Sequence, residues 1–152
     1  CGKREEGEEI AEDAFLKAFR SLDGFRNKSS FSTWLYRIVY NTSISYLRAR
    51  KRVVLSLEDF PADAIDFAGS GVSEEAAERE YREALINFAL QRLNESDRAL
   101  ITLFYYEELN IGKIAEITGL TGENVKIRLF RARKRMLEEI GKKENKKVAN
   151  HG

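Results

Sequence analysis

Apolar residues recur at three- and four-residue spacing along most of this 152-residue chain, and strand-like alternation is rare. The chain contains a single proline, Pro61. This pattern predicts an all-α protein, and the length suits one ordinary domain or two small ones. The predicted helices span residues 8–21, 31–50, 74–93, 98–106, 111–117 and 121–140.

The last predicted helix is amphipathic and unusually basic. Its apolar stripe consists of Val125, Leu129, Ala132, Met136 and Ile140, and Thr121 and Gly141 are its predicted N-cap and stop. Cations cover the rest of its surface: Lys126, Arg128, Arg131, Arg133, Lys134 and Arg135. A helix packed on one side and cationic on the other suits a phosphate backbone. The alternative is a solvated surface helix, but the cations have almost no acidic companions before Glu138.

A short helix and a tight turn precede this basic helix. Residues 111–117 have helical periodicity, and Thr118, Gly119 and Leu120 form the turn. Two helices joined in this way describe a helix-turn-helix, whose second helix enters the major groove of DNA. Glycine-containing helix hairpins also occur in proteins that never bind DNA, and here the basic second helix favours DNA.

The loop at residues 23–30 and the following helix combine aromatic, cationic and amide side chains. Phe25, which the pattern presents as exposed, stands beside Arg26, Asn27 and Lys28, and Ser30 is the predicted N-cap. Aromatic rings can stack on unpaired bases while cations neutralise phosphates, so the segment suits single-stranded nucleic acid. A capped surface loop followed by core aromatics is the alternative, and the loop alone favours it.

The remaining segments carry weaker signals. The first helix is predicted to bury Ile10, Ala14, Phe15, Ala18, Phe19 and Leu22 and to present an acidic face, which suits either a plain bundle helix or a basic partner. Ser73 is a predicted cap, as is Asn94 with Asp97. We divide the chain into a first domain (1–52), a linker (53–80), a second domain (81–141) and a polar, frayed tail (142–152).

Composition and charge narrow the class of protein. The chain is 43% hydrophobic and 34% charged with a net charge of +1, and acidic and basic residues are segregated, which suggests more than one kind of partner. Cys1 is the only cysteine and His151 the only histidine, so we expect no intrachain disulfide and no metal site. No apolar run approaches the roughly 20 residues that span a bilayer, and no signal peptide is visible, so we expect a cytoplasmic protein without membrane insertion. Because the chain begins without Met, we expect that residues are missing in front of it.

Two segments together resemble one protein family. Phe31-Ser32-Thr33-Trp34-Leu35-Tyr36-Arg37-Ile38, Asn41 and the run 47–52 resemble region two of bacterial sigma factors, closest to the extracytoplasmic-function (ECF) group. Ile114-Ala115-Glu116-Ile117, Val125-Lys126 and Arg131-Ala132-Arg133 resemble region four of the same group. The resemblance covers residues 8–52 and 81–140, and both motifs in this order on one short chain are highly specific.

The resemblance implies a transcription initiation factor that directs core RNA polymerase to promoters and consists of two small helical domains joined by a flexible linker. Region two would bind polymerase and melt the minus-ten element, and region four would bind the minus-thirty-five element as duplex. Carried over by position, the polymerase-docking residues are Glu9, Glu12 and Phe15. The minus-ten residues are Phe25, Arg26, Asn27, Lys28, Ser29, Trp34, Arg37, Asn41, Ser45 and Arg48. The minus-thirty-five residues are Lys126, Ile127, Arg128, Phe130, Arg131 and Lys134. An anti-sigma factor is a further expected partner.

The chain departs from the family pattern at several positions. Glu12 stands where glutamine is frequent, Ser45 where aspartate is frequent, and Ile111 and Gly112 where tyrosine and glutamate are frequent. The first helix of region two is expected to be incomplete, which bears on the stability of that domain and its grip on polymerase.

We find no Ser/His/Asp set, no phosphate-cradling glycine loop and no metal-ligand cluster, so we predict a protein that is not an enzyme and needs no cofactor. The alternative function is a helix-turn-helix regulator that binds duplex DNA without polymerase. A third is a helical adaptor whose basic faces meet acidic proteins.

Overall fold

The computed structural model describes residues 4–54 and 73–149, and in these ranges all regular structure is helical, which confirms the all-α prediction. A 3₁₀ turn, Leu22–Gly24, follows the first helix, and a π-helical turn, Thr102–Tyr106, follows the fourth. The six α-helices are α1 (Arg4–Ser21), α2 (Phe31–Val54), α3 (Glu74–Gln91), α4 (Glu95–Ile101), α5 (Ile111–Thr118) and α6 (Gly122–Ala149). Of the predicted linker, residues 74–80 belong to α3, and 55–72 lie outside the described residues.

The first bundle is a hairpin of α1 and α2. Small residues make the contact face of α1, since Ala14 and Ala18 are buried together with Ile10. The prediction that Phe15, Phe19 and Leu22 are also buried is wrong: these side chains are 68%, 80% and 47% exposed. Alanines allow α2 to approach closely, and the larger side chains are left on the neighbouring face of α1. There they line an apolar groove together with residues of α2.

The second bundle, α3 to α6, holds the main core. Leu100, Ile114, Ile117 and Val125 are almost completely buried, and Leu129 and Ala132 of the basic helix complete the cluster. The apolar stripe predicted for α6 is therefore the side that packs against α4 and α5. This packing leaves the opposite side of α6 in solvent.

Three of the four predicted N-caps are confirmed. The hydroxyl of Ser30 accepts a hydrogen bond from the Thr33 N–H (3.2 Å), and the Asn94 side chain accepts one from Asp97 N–H (2.9 Å). The Thr121 hydroxyl accepts one from Asn124 N–H (3.2 Å). Ser73 does not cap α3 with its side chain, and its carbonyl oxygen instead accepts the N–H groups of Ala76 and Ala77. Each side-chain cap satisfies one of the backbone donors that a helix start leaves unpaired.

A half-buried arginine closes the turn between α3 and α4. Arg98 donates hydrogen bonds to the carbonyl oxygens of Leu90, Gln91 and Leu93, at 2.9, 3.0 and 3.3 Å. The carbonyls of Leu90 and Gln91 belong to the last turn of α3, where few backbone donors are available, and Leu93 lies in the turn that follows. Burial lowers the pKa of the Arg98 guanidinium below its ordinary value. The helix predicted over 98–106 extends further toward the N-terminus in the structure, because α4 begins at Glu95, directly after the predicted Asn94 cap.

The predicted end of the basic helix is also wrong. α6 continues through Gly141 to Ala149, so residues 142–149 are helical rather than frayed, and 150–152 lie outside the described residues. The extension packs against α3, where the Lys143 ammonium lies 4.1 Å from the centre of the Phe88 ring. A glycine costs only about 1 kcal/mol inside a helix, so tertiary packing of this kind can carry a helix past it.

The two bundles contact each other through α2. Tyr36 and Tyr40 pack against the core of the second bundle, and α2 lies against α5 and α4. The Tyr36 hydroxyl donates a hydrogen bond to Glu107, and Lys51 lies 3.9 Å from Glu95. The carboxylate acceptor raises the pKa of Tyr36 above its ordinary value. The structure is therefore a closed form in which one face of α2 is covered by the second bundle.

No helix in the described part of the chain is long and apolar enough to cross a membrane. The same residues contain no group of three or more His, Cys, Asp or Glu side chains that could hold a metal ion.

Candidate nucleic-acid interface

The turn between α5 and α6 has the geometry of a helix-turn-helix. α5 begins at the cap of Asn110, whose side chain accepts the Lys113 N–H, and it ends at Gly119. Gly119 has φ +75, a left-handed conformation that favours glycine, and its N–H bonds to the Ala115 carbonyl at 2.9 Å. This left-handed turn lets α6 begin three residues later, at Gly122, directly after the Thr121 cap.

One face of α6 carries most of the predicted minus-thirty-five residues. Successive helical residues turn by about 100°, so five of them lie opposite the buried stripe of Val125, Leu129 and Ala132. All five are exposed: Lys126, Ile127, Phe130, Arg131 and Lys134. The two apolar side chains, 41% and 63% exposed, lie near the centre of this face and Lys126 and Arg131 at its edges. The arrangement offers donors and an apolar surface to one groove of a duplex.

Arg128 is the exception among the predicted minus-thirty-five residues. Its guanidinium Nε donates to Asp97 Oδ1 at 2.7 Å, and its Nη2 contacts the same oxygen. Both side chains are largely buried, with 30% and 20% exposed. Asp97 also belongs to the Asn94 cap of α4, so this ion pair ties the start of α4 to α6. The geometry gives Arg128 the position of an anchor for α6 rather than of a free donor.

We expect Arg128→Ala to lower the free energy of unfolding by about 1–3 kcal/mol, because it leaves the Asp97 carboxylate half-buried without its cation. Denaturant titration of Arg128→Ala, Asp97→Ala and the double variant measures the coupling. The double variant should be less destabilised than the sum of the two single changes. Strict additivity would contradict the role of the pair.

The predicted minus-ten residues of α2 form a second surface. Trp34, Arg37, Asn41, Ser45 and Arg48 fall within an arc of about 80° of the helix. All but the half-buried Trp34 are exposed. The face covered by the second bundle, with Tyr36 and Tyr40, is adjacent to this arc, and the face toward α1, with Thr42 and Tyr46, lies on its other side. On α2, one polar stripe thus lies between two packed faces.

The loop before α2 is built on an aromatic cluster. The Phe25 ring lies 5.1 Å from the Trp34 ring and 5.7 Å from the Phe31 ring, so Phe25 is half-buried rather than the exposed loop aromatic that we expected. Asn27 adopts φ 53, in the left-handed region that asparagine tolerates better than most residues. Arg26, Lys28 and the half-buried Ser29 complete the loop. The cluster brings this loop to the N-terminal end of the polar stripe on α2.

The predicted polymerase-docking residues lie on the open side of α1. Glu9, Glu12 and Phe15 are all exposed. Glu9 accepts a hydrogen bond from the Tyr46 hydroxyl of α2 at 3.0 Å, and Glu6 forms an ion pair with Arg50. The acidic face of α1 is therefore partly engaged within the first bundle, whereas Glu12 lies nearly opposite its buried residues.

Sequence patterns did not identify the residues that join the two bundles. The aromatic residues of α2 were expected either in the core or on nucleic acid, without singling out Tyr36 and Tyr40, and Glu107 carried no expectation. The one sequence signal for this contact was a pair of tyrosines at four-residue spacing, which lies beside the broad apolar stripe of α2. The partner Glu107 is 71 residues away along the chain, so local periodicity could not reveal it.

Comparison with known proteins decides the family. The model for Sigma-70 region 2 matches residues 1–53, and the model for Sigma-70, region 4 matches residues 83–136. The chain is 36% identical over 135 residues to the RNA polymerase sigma-H factor of Pseudomonas aeruginosa, a match covering 85% of this chain and 70% of that protein. The chain belongs to the sigma-70 family. The ECF RNA polymerase sigma-E factor of Escherichia coli K12 is 35% identical over 132 residues, 82% of this chain and 69% of that one.

This sigma factor also resembles solved structures. It superimposes with a TM-score of 0.67 and 26% identity on the sigma factor RpoE of Bartonella quintana, crystallised with the anti-sigma factor NepR, over 93% of this chain and 84% of that one. CnrH, crystallised with the cytosolic domain of CnrY, gives a TM-score of 0.57 at 21% identity, over 90% and 71% of the two chains, and shows the shared fold. The chain is therefore an ECF-type sigma factor that acts in transcription initiation, and the regulator that works without polymerase is not favoured.

Proposed function

We propose that this sigma factor opens promoters with α2 and the loop before it and holds them upstream with α6. The observation that carries the proposal is the pair of exposed surfaces, one on each bundle. On α6, cations frame an apolar centre and suit the major groove of a duplex. On α2, a polar stripe begins at an aromatic-based loop and suits unpaired bases.

Each surface has its own energetic task. Melting requires unstacking of bases, which costs a few kcal/mol per base, and a preformed loop must return that energy by stacking and hydrogen bonding. Asn27 and Lys28 offer amide and ammonium donors there, and Arg37, Asn41, Ser45 and Arg48 continue the path along α2. Duplex recognition needs no deformation of this kind, which is why a rigid helix such as α6 suffices.

We propose that core RNA polymerase binds the exposed face of α1. Glu12 and Phe15 are free to meet a partner, and Glu9 is held in place by Tyr46. The acidic charges suit a basic partner surface, and the exposed apolar side chains would gain stabilisation when covered. In this assignment the protein has no catalytic activity of its own and supplies specificity to the polymerase.

We also assign an anti-sigma factor as a partner. RpoE of Bartonella quintana, which is 26% identical to this chain, was crystallised with the anti-sigma factor NepR. The corresponding partner of this chain would bind when transcription is to be withheld, and it would compete with polymerase.

The proposal is tested by adding the full-length chain to bacterial core RNA polymerase and a library of randomised promoters. We expect defined start sites, preceded by two selected sequence elements. Binding to duplex operators without any polymerase-dependent starts would support the helix-turn-helix regulator instead. Binding to acidic proteins alone would support the adaptor.

A further inference from the structure

The DNA-facing side of α6 has an apolar centre, which is unusual for a helix so rich in cations. Ile127 is 41% exposed and Phe130 is 63% exposed, and neither side chain belongs to the buried cluster beneath the helix. They are three residues apart and therefore adjacent on the helix surface. Both lie in the N-terminal half of α6, the part of a recognition helix that contacts base edges.

The chemistry of Ile127 limits what it can contact on DNA. Its side chain neither donates nor accepts a hydrogen bond, so it cannot bond to the donors and acceptors on the guanine, adenine and cytosine edges. Among the base edges in the major groove, thymine alone presents an apolar group, the 5-methyl group. Lys126 and Arg131 lie at the two edges of the same face, where phosphates and guanine are the available partners. Between them, at the level of Ile127 and Phe130, the face is left for an apolar contact, since Lys134 lies about one turn further along the helix.

We propose that Ile127 is a specificity-determining residue that recognises the 5-methyl group of a thymine in the upstream promoter element. The proposal rests on the proposed function, because it takes α6 as the helix that enters the major groove there. Ile127 covers the methyl group from water on one side, and Phe130 lies next to it on the same surface. The preference that results is for thymine over cytosine at one position of one strand.

The test removes the methyl group and nothing else. Holoenzyme is assembled from core polymerase and the full chain, and promoter duplexes recovered by selection carry deoxyuridine in place of one upstream thymine at a time. We expect one position at which this change weakens binding about threefold to fivefold, the equivalent of one buried methyl group. At that position, a C·G pair carrying 5-methylcytosine should bind better than an unmethylated C·G pair by a similar factor.

Two variants assign the effect to a residue. Ile127→Ser should bind thymine and deoxyuridine duplexes equally well. Leu137→Ser is the matched control, because Leu137 is 71% exposed on the same helix but lies about 15 Å further along it. This control should keep the full response to the methyl group.

The outcomes separate this inference from the proposed function. Selective upstream binding with no response to deoxyuridine at any position overturns the role of Ile127 and leaves the proposed function intact. A response that persists in Ile127→Ser and disappears in Phe130→Ser moves the contact to Phe130 and also overturns the inference. Holoenzyme with no upstream sequence preference at all overturns both.

Discussion

A covalent link between positions 36 and 107 should abolish promoter-dependent transcription. These positions are joined in the closed form by the hydrogen bond from Tyr36 to Glu107. Tyr36→Cys and Glu107→Cys, made in a Cys1→Ser background, can be connected by a cleavable bismaleimide. Run-off transcription with core polymerase should fall to background after cross-linking and return when the linker is cleaved.

The expected loss of transcription follows from the dimensions of the promoter and of the closed protein. Promoter elements about 25 base pairs apart are separated by about 85 Å at 3.4 Å per base pair. A compact chain of this length is about 40 Å across, so the closed form cannot contact both elements. The chain between Val54 and Ser73 reaches about 60 Å when fully extended, which permits the bundles to separate once α2 leaves α5. We therefore expect transcription to require release of the Tyr36 and Tyr40 face.

The control is a link that leaves the two bundles independent. The Arg133 guanidinium donates to the Tyr105 hydroxyl at 3.0 Å, and both residues belong to the second bundle. Arg133→Cys with Tyr105→Cys, cross-linked in the same background, should remain active. Full activity of the 36–107 cross-linked protein would show that the closed form can initiate transcription, contrary to this expectation.

Arg131→Ala should weaken binding to the upstream duplex element by about 1–3 kcal/mol, which is about 5- to 150-fold. Arg131 is exposed at the edge of the α6 face, and no hydrogen bond or ion pair within the described residues holds it. A free guanidinium can form two hydrogen bonds with guanine, and an alanine can form none. The measurement compares affinities of holoenzyme for selected and scrambled upstream elements at one fixed salt concentration.

Arg133→Ala removes the same charge two residues away and is the matched control. Its side chain is turned toward Tyr105, so it should weaken binding to selected and scrambled elements alike and only slightly. If Arg131→Ala also weakens both elements equally, Arg131 contacts phosphate alone and carries no sequence recognition.

Local patterns were sufficient wherever a helix is amphipathic and capped by its own neighbours. The starts at Ser30, Asn94 and Thr121 could be predicted because each cap involves residues three apart. The ends of helices were harder. Gly141 is a reasonable stop by propensity, but contact of the Lys143 ammonium with the Phe88 ring of α3 accompanies the continued helix. Tertiary packing overrides propensity here, as it commonly does.

For the candidate site, too, some features could be predicted from the sequence and others could not. The faces of α2 and α6 follow from helical period alone, so the sequence could place Arg37 with Asn41 and Ile127 with Phe130 on common surfaces. Helical period also sets Arg128 closer to the buried stripe than Arg131, but it could not show what Arg128 contacts. Only the position of Asp97, 31 residues away, shows that Arg128 is an anchor.

By itself the sequence determined the helical class, the two regions of a sigma factor and the exposed face of its recognition helix, because these depend on residue type and short-range spacing. Tertiary structure decided which apolar residues of α1 stay uncovered, which cation is tied to an aspartate and which face of α2 is covered. Those properties depend on residues that are distant along the chain and meet only when the bundles pack. The contact of Tyr36 and Tyr40 with the second bundle is the clearest case.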